Sequence, residues 1–188
     1  MKDLIPLKVN NEWTYKQFIY DKTKSKTTEK IVINKVSDLK KHDGQTWYLL
    51  KEFGDEFYVQ NTDEGQISAE FDKNTLIQTS LFLKNPDSIE FTPFEYTEVT
   101  KQNDLEGNSN IPDIDTNKIT LVSKDVPIII ENQKYNCHEY EVNPILEADD
   151  EIESYKITMY IELGTGIVKH IIEDDYEIVT SELINKKL

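Results

Sequence analysis

The side chains best suited to nucleophilic or metal chemistry are few in this chain. It contains one cysteine, Cys137, and three histidines, His42, His138 and His170. Cys137 and His138 are neighbours in a strand-like segment, so their side chains point to opposite faces and cannot form a thiolate–imidazole pair. Cys137 could meet His170 across strands, but no third group that would orient the pair is evident. A zinc site at His138 and His170 lacks further ligands. We therefore predict no catalytic and no metal-binding residue.

Carboxylates are abundant, and one segment spaces oxygen ligands as calcium loops do. This segment is DIDTN at 113–117. An EF-hand would also need glycine at the sixth position and glutamate at the twelfth, where the chain has Lys118 and Lys124. The densest acidic clusters, 149–153 and 173–177, are typical of a solvated loop and a hairpin turn. A glycosidase-type carboxylate pair stays open, because nothing selects one pair among 36 acidic residues.

Two glycines one residue apart, Gly164 and Gly166, separate two apolar, β-branched runs in YIELGTGIVKH at 160–170. A phosphate-binding loop would be longer, richer in glycine and followed by a helix N-terminus. The residues that follow here are typical of a strand. We therefore predict a kink between two strands that allows the sheet to curl.

The charge of the chain excludes several kinds of partner. The 188 residues carry a formal net charge of -15, and all 21 basic residues are lysines. Nucleic acids and anionic membrane surfaces require a cationic footprint, so neither is expected as a partner. No apolar run approaches the ~20 residues of a transmembrane helix, and the first ten residues lack the apolar centre of a signal peptide. We expect a cytoplasmic protein unless a leader was removed, in which case the cell envelope is expected.

Hydrophobic periodicity places these residues on β-strands. In SYKITMYIEL at 154–163, apolar and polar residues alternate, which indicates a strand with one buried face. Similar short strands recur between turns. The pattern predicts a mainly β fold with little helix, in which about nine to eleven strands form a single curved antiparallel sheet or open half-barrel. We predict one domain, 1–188, with a mobile polar loop near 101–117 and an acidic loop near 143–154.

Aromatic residues are concentrated in the first half of the chain. Most of them are expected in the core. If the sheet curls, some would line an apolar cavity of the kind that binds small ligands. The candidates for such a ligand site are Trp13, Tyr15, Trp47, Phe57 and Phe71.

The two ends of the chain resemble a loose group of bacterial secreted or lipoprotein-like β domains. These open with P-L-x-x-G-N-x-W-x-Y and close with G-x-G-[IL]-V-K before a final strand pair. IPLKVNNEWTYK at 5–16 matches the opening, with asparagine where glycine is usual, and GTGIVK at 164–169 matches the closing motif. Asparagine tolerates a positive φ, so the turn can be kept. The motif positions are Pro6, Asn10, Asn11, Trp13, Gly164 and Gly166.

Such domains are similar in fold to LolA-like half-barrels, in which a curved sheet wraps around an apolar cavity. The resemblance implies a non-catalytic binding or structural module of the bacterial cell envelope, with a lipid or another apolar molecule as the candidate ligand. The charge suggests an alternative: an acidic interaction protein of the immunity or inhibitor type in the cytoplasm, which would mask a basic protein partner. No cofactor is expected in either case.

Overall fold

The computed structural model describes residues 3–72, 75–88, 94–102, 111–144 and 155–188. These residues form one antiparallel sheet of twelve strands, and the helical structure among them is a single 3-10 turn at Pro86–Ser88. The mainly β, single-sheet fold is therefore confirmed, with one strand more than the range expected from the sequence. The strands are β1 (Glu12–Asp21), β2 (Lys26–His42), β3 (Gln45–Glu52), β4 (Asp55–Asn61), β5 (Gly65–Asp72), β6 (Thr75–Lys84), β7 (Phe94–Gln102), β8 (Ile111–Ile130), β9 (Gln133–Pro144), β10 (Lys156–Glu162), β11 (Gly166–Glu173) and β12 (Glu177–Lys187).

The sheet is rolled but open. Its strand order is β6-β5-β4-β3-β2-β1-β12-β11-β10-β9-β8-β7, so the two outermost strands are consecutive in the chain. The hydroxyl of Tyr140 on β9 donates a hydrogen bond of 2.8 Å to the carbonyl of Lys84 at the end of β6. These two strands lie almost the whole width of the sheet apart. Because neighbouring strands are ~4.8 Å apart, a flat sheet could not make this contact, and the sheet must curl.

The core lies on the enclosed face of the roll. Along β1, Trp13, Tyr15 and Gln17 are buried, while Thr14 and Lys16 between them are half-buried. This alternation follows from the period of two in a strand, which sends successive side chains to opposite faces. The core continues across the sheet with large buried side chains from the other strands, among them Val36, Leu50, Val59, Leu83, Ile119, Leu121, Tyr140, Met159, Ile161, Val168 and Leu183.

The Gly-Thr-Gly motif is a hairpin turn, not the kink that we predicted. Both glycines have left-handed backbones, with φ of 77° at Gly164 and 101° at Gly166. These conformations suit glycine and let the chain reverse within a few residues. The N–H of Gly164 donates to the carbonyl of Asp3 at 2.7 Å, and a Cβ on Gly166 would lie 3.3 Å from Nε1 of Trp13. The glycines therefore also allow the N-terminal segment to pack closely against this turn.

The opening motif folds against the closing one. Asn10 has φ of 76°, and its N–H donates to a carbonyl of β2 at 2.9 Å. Asn11 donates from Nδ2 to the carbonyl of Pro6 at 2.9 Å. Trp13 donates from Nε1 to the carbonyl of Thr165, between the two glycines, at 2.6 Å. The two ends of the chain thus form one structural unit in this fold.

Part of the segment expected as a polar loop lies in a strand. Residues 111–117 belong to β8 and pair with β7, whereas 103–110 lie outside the described residues. A ladder is built from backbone hydrogen bonds, so alternating Asp, Thr and Asn side chains do not prevent it. This pairing makes 113–117 part of an extended strand. In the acidic segment 143–154, β9 extends to Pro144, and 145–154 lie outside the described residues.

Candidate functional site

The five aromatic ligand-site candidates separate onto opposite faces of the sheet. Trp13 and Tyr15 lie on the enclosed face, where they are 2% and 1% exposed, and Phe57 packs against the same core. Trp47 alternates with core residues of β3 and therefore faces the other side. Phe71 lies beside it, with the two ring centroids 6.0 Å apart. The structure therefore does not bring all five together into one cavity.

The enclosed aromatic side chains are packed and have their polar atoms satisfied. In addition to the Trp13 hydrogen bond, the hydroxyl of Tyr15 donates to the carbonyl of Ile167 at 2.8 Å. One crevice among the described residues has a volume of about 200 Å³, below the ~300–1,000 Å³ usual for small-molecule sites. It is lined by Asp3, Leu4, Asn61, Thr62, Asp63, Gly65 and Asn85. None of the five aromatic candidates borders this crevice.

The second aromatic group surrounds Phe71 on the outer face. The rings of His42, Trp47 and Tyr58 approach Phe71 edge-on at 5.6, 6.0 and 5.0 Å between centroids. The ammonium of Lys40 lies 4.4 Å from the centroid of Phe71, which is within the range of a cation–π contact. Lys40 of the protein itself therefore fills the place over the Phe71 ring where a cationic ligand could otherwise bind.

A row of polar side chains crosses the enclosed face in the middle of the sheet. Gln17, Ser181 and His170 are directly opposite one another on β1, β12 and β11, and Gln17 donates from Nε2 to Oγ of Ser181 at 2.9 Å. His170 stacks on Phe53 with the centroids 4.5 Å apart and the planes at 15°. Burial lowers the pKa of His170 to about 4, so its imidazole is neutral at physiological pH.

The β3–β4 turn lies over this row. Phe53 and Gly54 have φ of 51° and 116°, and the N–H of Phe53 donates to Oδ1 of Asn34 at 2.8 Å. Glu52, immediately before the turn, is buried. Desolvation and, to a lesser extent, the nearby Asp55 raise the pKa of Glu52 to about 7. The turn thus carries a carboxyl group that titrates near neutral pH inside the protein.

The cysteine is buried in a setting that favours its neutral thiol form. Cys137 is fully buried on β9, and burial, followed by the charge of Glu162, raises the pKa of its thiol to about 12. A thiol with such a pKa stays protonated and unreactive. In the described part of the chain, no group of three or more His, Cys, Asp and Glu side chains is arranged to hold a metal ion.

The sequence does not reveal that β2 extends well beyond the end of its neighbour β3. β2 pairs with β1 from Lys26 to Lys35, but its ladder with β3 begins at Lys35. None of the described strands pairs with the other side of residues 26–33, which we call the free edge. Ile31 and Ile33 within it are 58% and 52% exposed. The alternation of EKIVINKV predicts a strand here, but the end of β3 cannot be read from it.

The hydrogen bonds of Val36 show which backbone groups of the free edge point outward. Val36 donates to the carbonyl of Asn11 and accepts from the N–H of Asn10, so its backbone groups face the β1 side. Because alternate residues of an antiparallel strand direct these groups to the same side, the even-numbered residues of the free edge also face β1. The residues whose N–H and C=O point away from β1 are Thr27, Glu29, Ile31 and Ile33.

A row of aliphatic side chains lies on the enclosed face next to the free edge. Ile19, Val179, Ile172 and Ile157 are directly opposite one another across four strands, and all four are half-buried. We call these four residues the aliphatic row. They lie two residues along the strands from the buried polar row. The aliphatic row begins at Ile19, which lies opposite Thr28 of the free edge.

Comparison with known proteins gives no family assignment. No family model and no curated protein matches the chain. Among solved structures, a protein described as exported and as having a YMCC-like fold, from Bacteroides fragilis NCTC 9343, is 12% identical with a TM-score of 0.46 over 100% of both chains. A protein described as a lipoprotein, from Parabacteroides distasonis ATCC 8503, is 11% identical with a TM-score of 0.45 over 99% of both chains. At these values neither likeness bears on what this chain does.

The described ranges contain no helix with the length and apolar character needed to cross a bilayer.

Proposed function

We propose that the chain is a non-catalytic binding module of the bacterial cell envelope that holds an extended segment of a partner protein as an added strand. The free edge is the observation that carries this proposal. Four residues there direct N–H and C=O groups away from β1, and none of the described strands pairs with them. Such an edge is a template for a further strand, in which backbone hydrogen bonds provide affinity and alternate side chains provide specificity.

The position of the free edge also favours an added strand. An incoming segment would continue the line of β3 beyond Glu52 and would lie next to the β3–β4 turn. On one face its side chains would lie beside Ile31 and Ile33, and on the other beside Val32, with Ile19 of the aliphatic row one strand further in. Both faces would thus bury apolar surface, which stabilises association by roughly 25 cal/mol per Å².

The non-catalytic and envelope parts of the proposal rest on other observations. The neutral, buried thiol of Cys137 and the stacked, neutral His170 speak against nucleophilic catalysis at these side chains. The envelope location is supported by the resemblance of the opening and closing motifs to secreted and lipoprotein-like domains. In this structure those motifs contact each other through Trp13 and Thr165.

A lipid or another small apolar molecule is the second candidate ligand. The observation in its favour is the aliphatic row, which is half-buried and not fully covered by the rest of the chain. This ligand would bind through apolar contact alone and would leave the backbone groups of the free edge unpaired. The two candidates therefore differ in a measurable way.

Amide hydrogen exchange by NMR separates them. In the free protein, we expect fast exchange at Thr27, Glu29, Ile31 and Ile33 and slow exchange at the even-numbered residues between them. Addition of the extended peptide VVVQTVTQ should slow exchange at the four odd-numbered residues. Sodium oleate should instead shift the methyl signals of Ile19 and Ile172 without protecting those amides, if the second candidate is correct.

Substitutions at Ile31 provide the matched control. Ile31→Pro removes an outward N–H but no hydrogen bond to β1, so the fold should persist while peptide protection is lost. Ile31→Thr keeps the N–H and the β-branched side chain, so protection should remain. Equal behaviour of the two variants, or no protection by the peptide at millimolar concentration in the wild type, would show that strand addition is wrong.

A further inference from the structure

The free edge is basic, although the chain as a whole is strongly acidic. Lys26 and Lys30 are exposed on it, and among the described residues neither has an ion-pair partner. The acidic residue of the free edge, Glu29, is already paired with Lys16 on β1, with 2.7 Å between Nζ and Oε2. Lys26 lies opposite Asp21 on β1, but that carboxylate is already paired with Lys24, so local positive charge remains at this edge of a protein whose net charge is -15.

The two lysines share a face with Val32. Even-numbered residues of β2 lie on the enclosed face, as the buried Asn34 and Val36 show. An inward-facing lysine at an edge normally discourages strand pairing, because an apolar or basic strand would bury its charge. The same lysine becomes favourable when the incoming strand places a carboxylate opposite it, since opposite charges across a ladder stabilise the pair. Lys30 therefore favours an incoming strand with a carboxylate opposite it over an apolar or basic strand.

Resting on the proposed function, we infer that the partner is an extended, acidic–apolar segment that adds antiparallel to the free edge. Every ladder of the sheet is antiparallel, including that of β3, whose line the segment would continue. Apolar residues would lie opposite Ile33, Val32 and Ile31, followed by a carboxylate opposite Lys30. A second carboxylate four residues further on would lie opposite Lys26. The eight-residue sequence VVVETVTE has this pattern.

Other occupants fit the charge distribution less well. A basic partner, which the overall charge of the chain favours, would place like charges against Lys26 and Lys30 at this edge. A second copy of the chain would bring the same two lysines and another net charge of -15. Both charge effects oppose association.

Competition among three peptides tests the inference. VVVETVTE, its neutral counterpart VVVQTVTQ and its basic counterpart VVVKTVTK differ at two positions, and fluorescence anisotropy of labelled versions gives their affinities. We expect the acidic peptide to bind roughly 2- to 30-fold more tightly than the neutral one, from two cross-strand charge pairs. The basic peptide should bind more weakly than the neutral one.

Charge reversal of Lys30 identifies the side chain responsible. Lys30→Glu should abolish most of the difference between the acidic and basic peptides, because the changed position then favours the basic peptide while Lys26 still favours the acidic one. Lys41→Glu, a change of the same charge on β2 outside the free edge, should leave the order unchanged. Equal affinity of the acidic and neutral peptides, with the odd-numbered amides still protected, would overturn this inference and leave strand addition intact. Absence of that protection with all three peptides would instead overturn the proposed function.

Discussion

Two buried titratable groups, Glu52 and His170, should make opposite contributions to the pH dependence of stability. Burial raises the pKa of Glu52 from 4.5 to about 7, so the native state holds this proton more tightly than the unfolded state does. The stability that Glu52 contributes is therefore complete below pH 4.5 and is lost as the pH rises to about 7. Burial lowers the pKa of His170 from 6.5 to about 4. Its contribution is complete above pH 6.5 and is lost as the pH falls to about 4.

The two contributions have the same size and overlap over much of their range. One pKa unit corresponds to about 1.4 kcal/mol, so each shift is worth about 3 kcal/mol. Between pH 4.5 and 6.5 the free energy of unfolding falls with pH because of Glu52 and rises with pH because of His170. The two slopes cancel, and the wild type should show little pH dependence from this pair within that window.

Single substitutions should reveal the pH dependence of the free energy of unfolding that each group contributes, which the other group cancels in the wild type. In Glu52→Gln, the free energy of unfolding relative to the wild type should increase by about 1.4 kcal/mol per pH unit between pH 4.5 and 7. In His170→Gln, it should decrease relative to the wild type by the same amount per pH unit between pH 4 and 6.5. Urea titrations followed by tryptophan fluorescence give these values. Any loss of packing shifts each variant by a constant amount, so the slope is the informative quantity.

The comparison with the wild type at each pH removes the effect of all other titrating groups. If the free-energy difference between Glu52→Gln and the wild type does not vary with pH, the carboxyl group does not titrate near neutral pH in the folded protein. The placement of Glu52 beneath the β3–β4 turn would then be wrong. The same result for His170→Gln would contradict the stacked, water-excluded imidazole described above.

Three further predictions concern the core and the closing motif. Trp13→Phe should lower the free energy of unfolding by about 1–3 kcal/mol, because the buried carbonyl of Thr165 loses its hydrogen-bond donor. Urea titration measures this loss, and an unchanged midpoint would contradict the prediction. Gly166→Ala should cost a similar amount, about 1–3 kcal/mol, because alanine is strained at φ of 101° and its Cβ would press on the Trp13 ring; a matched Gly44→Ala variant, with φ of 77° but open space around it, separates the two causes. Cys137 should react with Ellman's reagent at pH 8 only after denaturant is added; rapid labelling of the native protein would disprove its burial.

The sequence predicts well those features that depend on local alternation. The pattern of SYKITMYIEL indicates a strand at 154–163, and β10 occupies Lys156–Glu162. Local polarity is a poorer guide where strands pair through their backbones. Residues 111–117 look like a loop because they are polar, yet they form a ladder with β7. The alternation of apolar and polar residues shows that one face of a strand is buried. It does not show whether another strand pairs with its backbone.

The position of Lys40 beside the outer aromatic residues depends on a β-bulge that the sequence does not reveal. The register between β2 and β3 shifts between Val36 and Asp38. Even-numbered residues of β2 therefore face the core before this bulge and face outward after it. Lys40 consequently lies on the outer face opposite Trp47, whose own outward position follows from the alternation along β3. The free edge has a similar origin, because it exists only where β2 continues past the end of β3. The relative lengths of paired strands are a tertiary property, and no single segment encodes them.

The contrast between an acidic protein and a basic edge has a kinetic consequence that the partner inference predicts. The net charge of -15 acts over a Debye length of ~30 Å at 0.01 M salt, which shrinks to ~10 Å at 0.1 M. An acidic peptide approaching the free edge is repelled by the whole molecule at long range and attracted by Lys30 at contact. Its association rate should therefore rise between 0.01 and 0.1 M salt, whereas that of the basic peptide should fall over the same range. Stopped-flow fluorescence measures both rates, and a rate for the acidic peptide that falls from the lowest salt onward would show that the local lysines, and not the net charge, govern the approach.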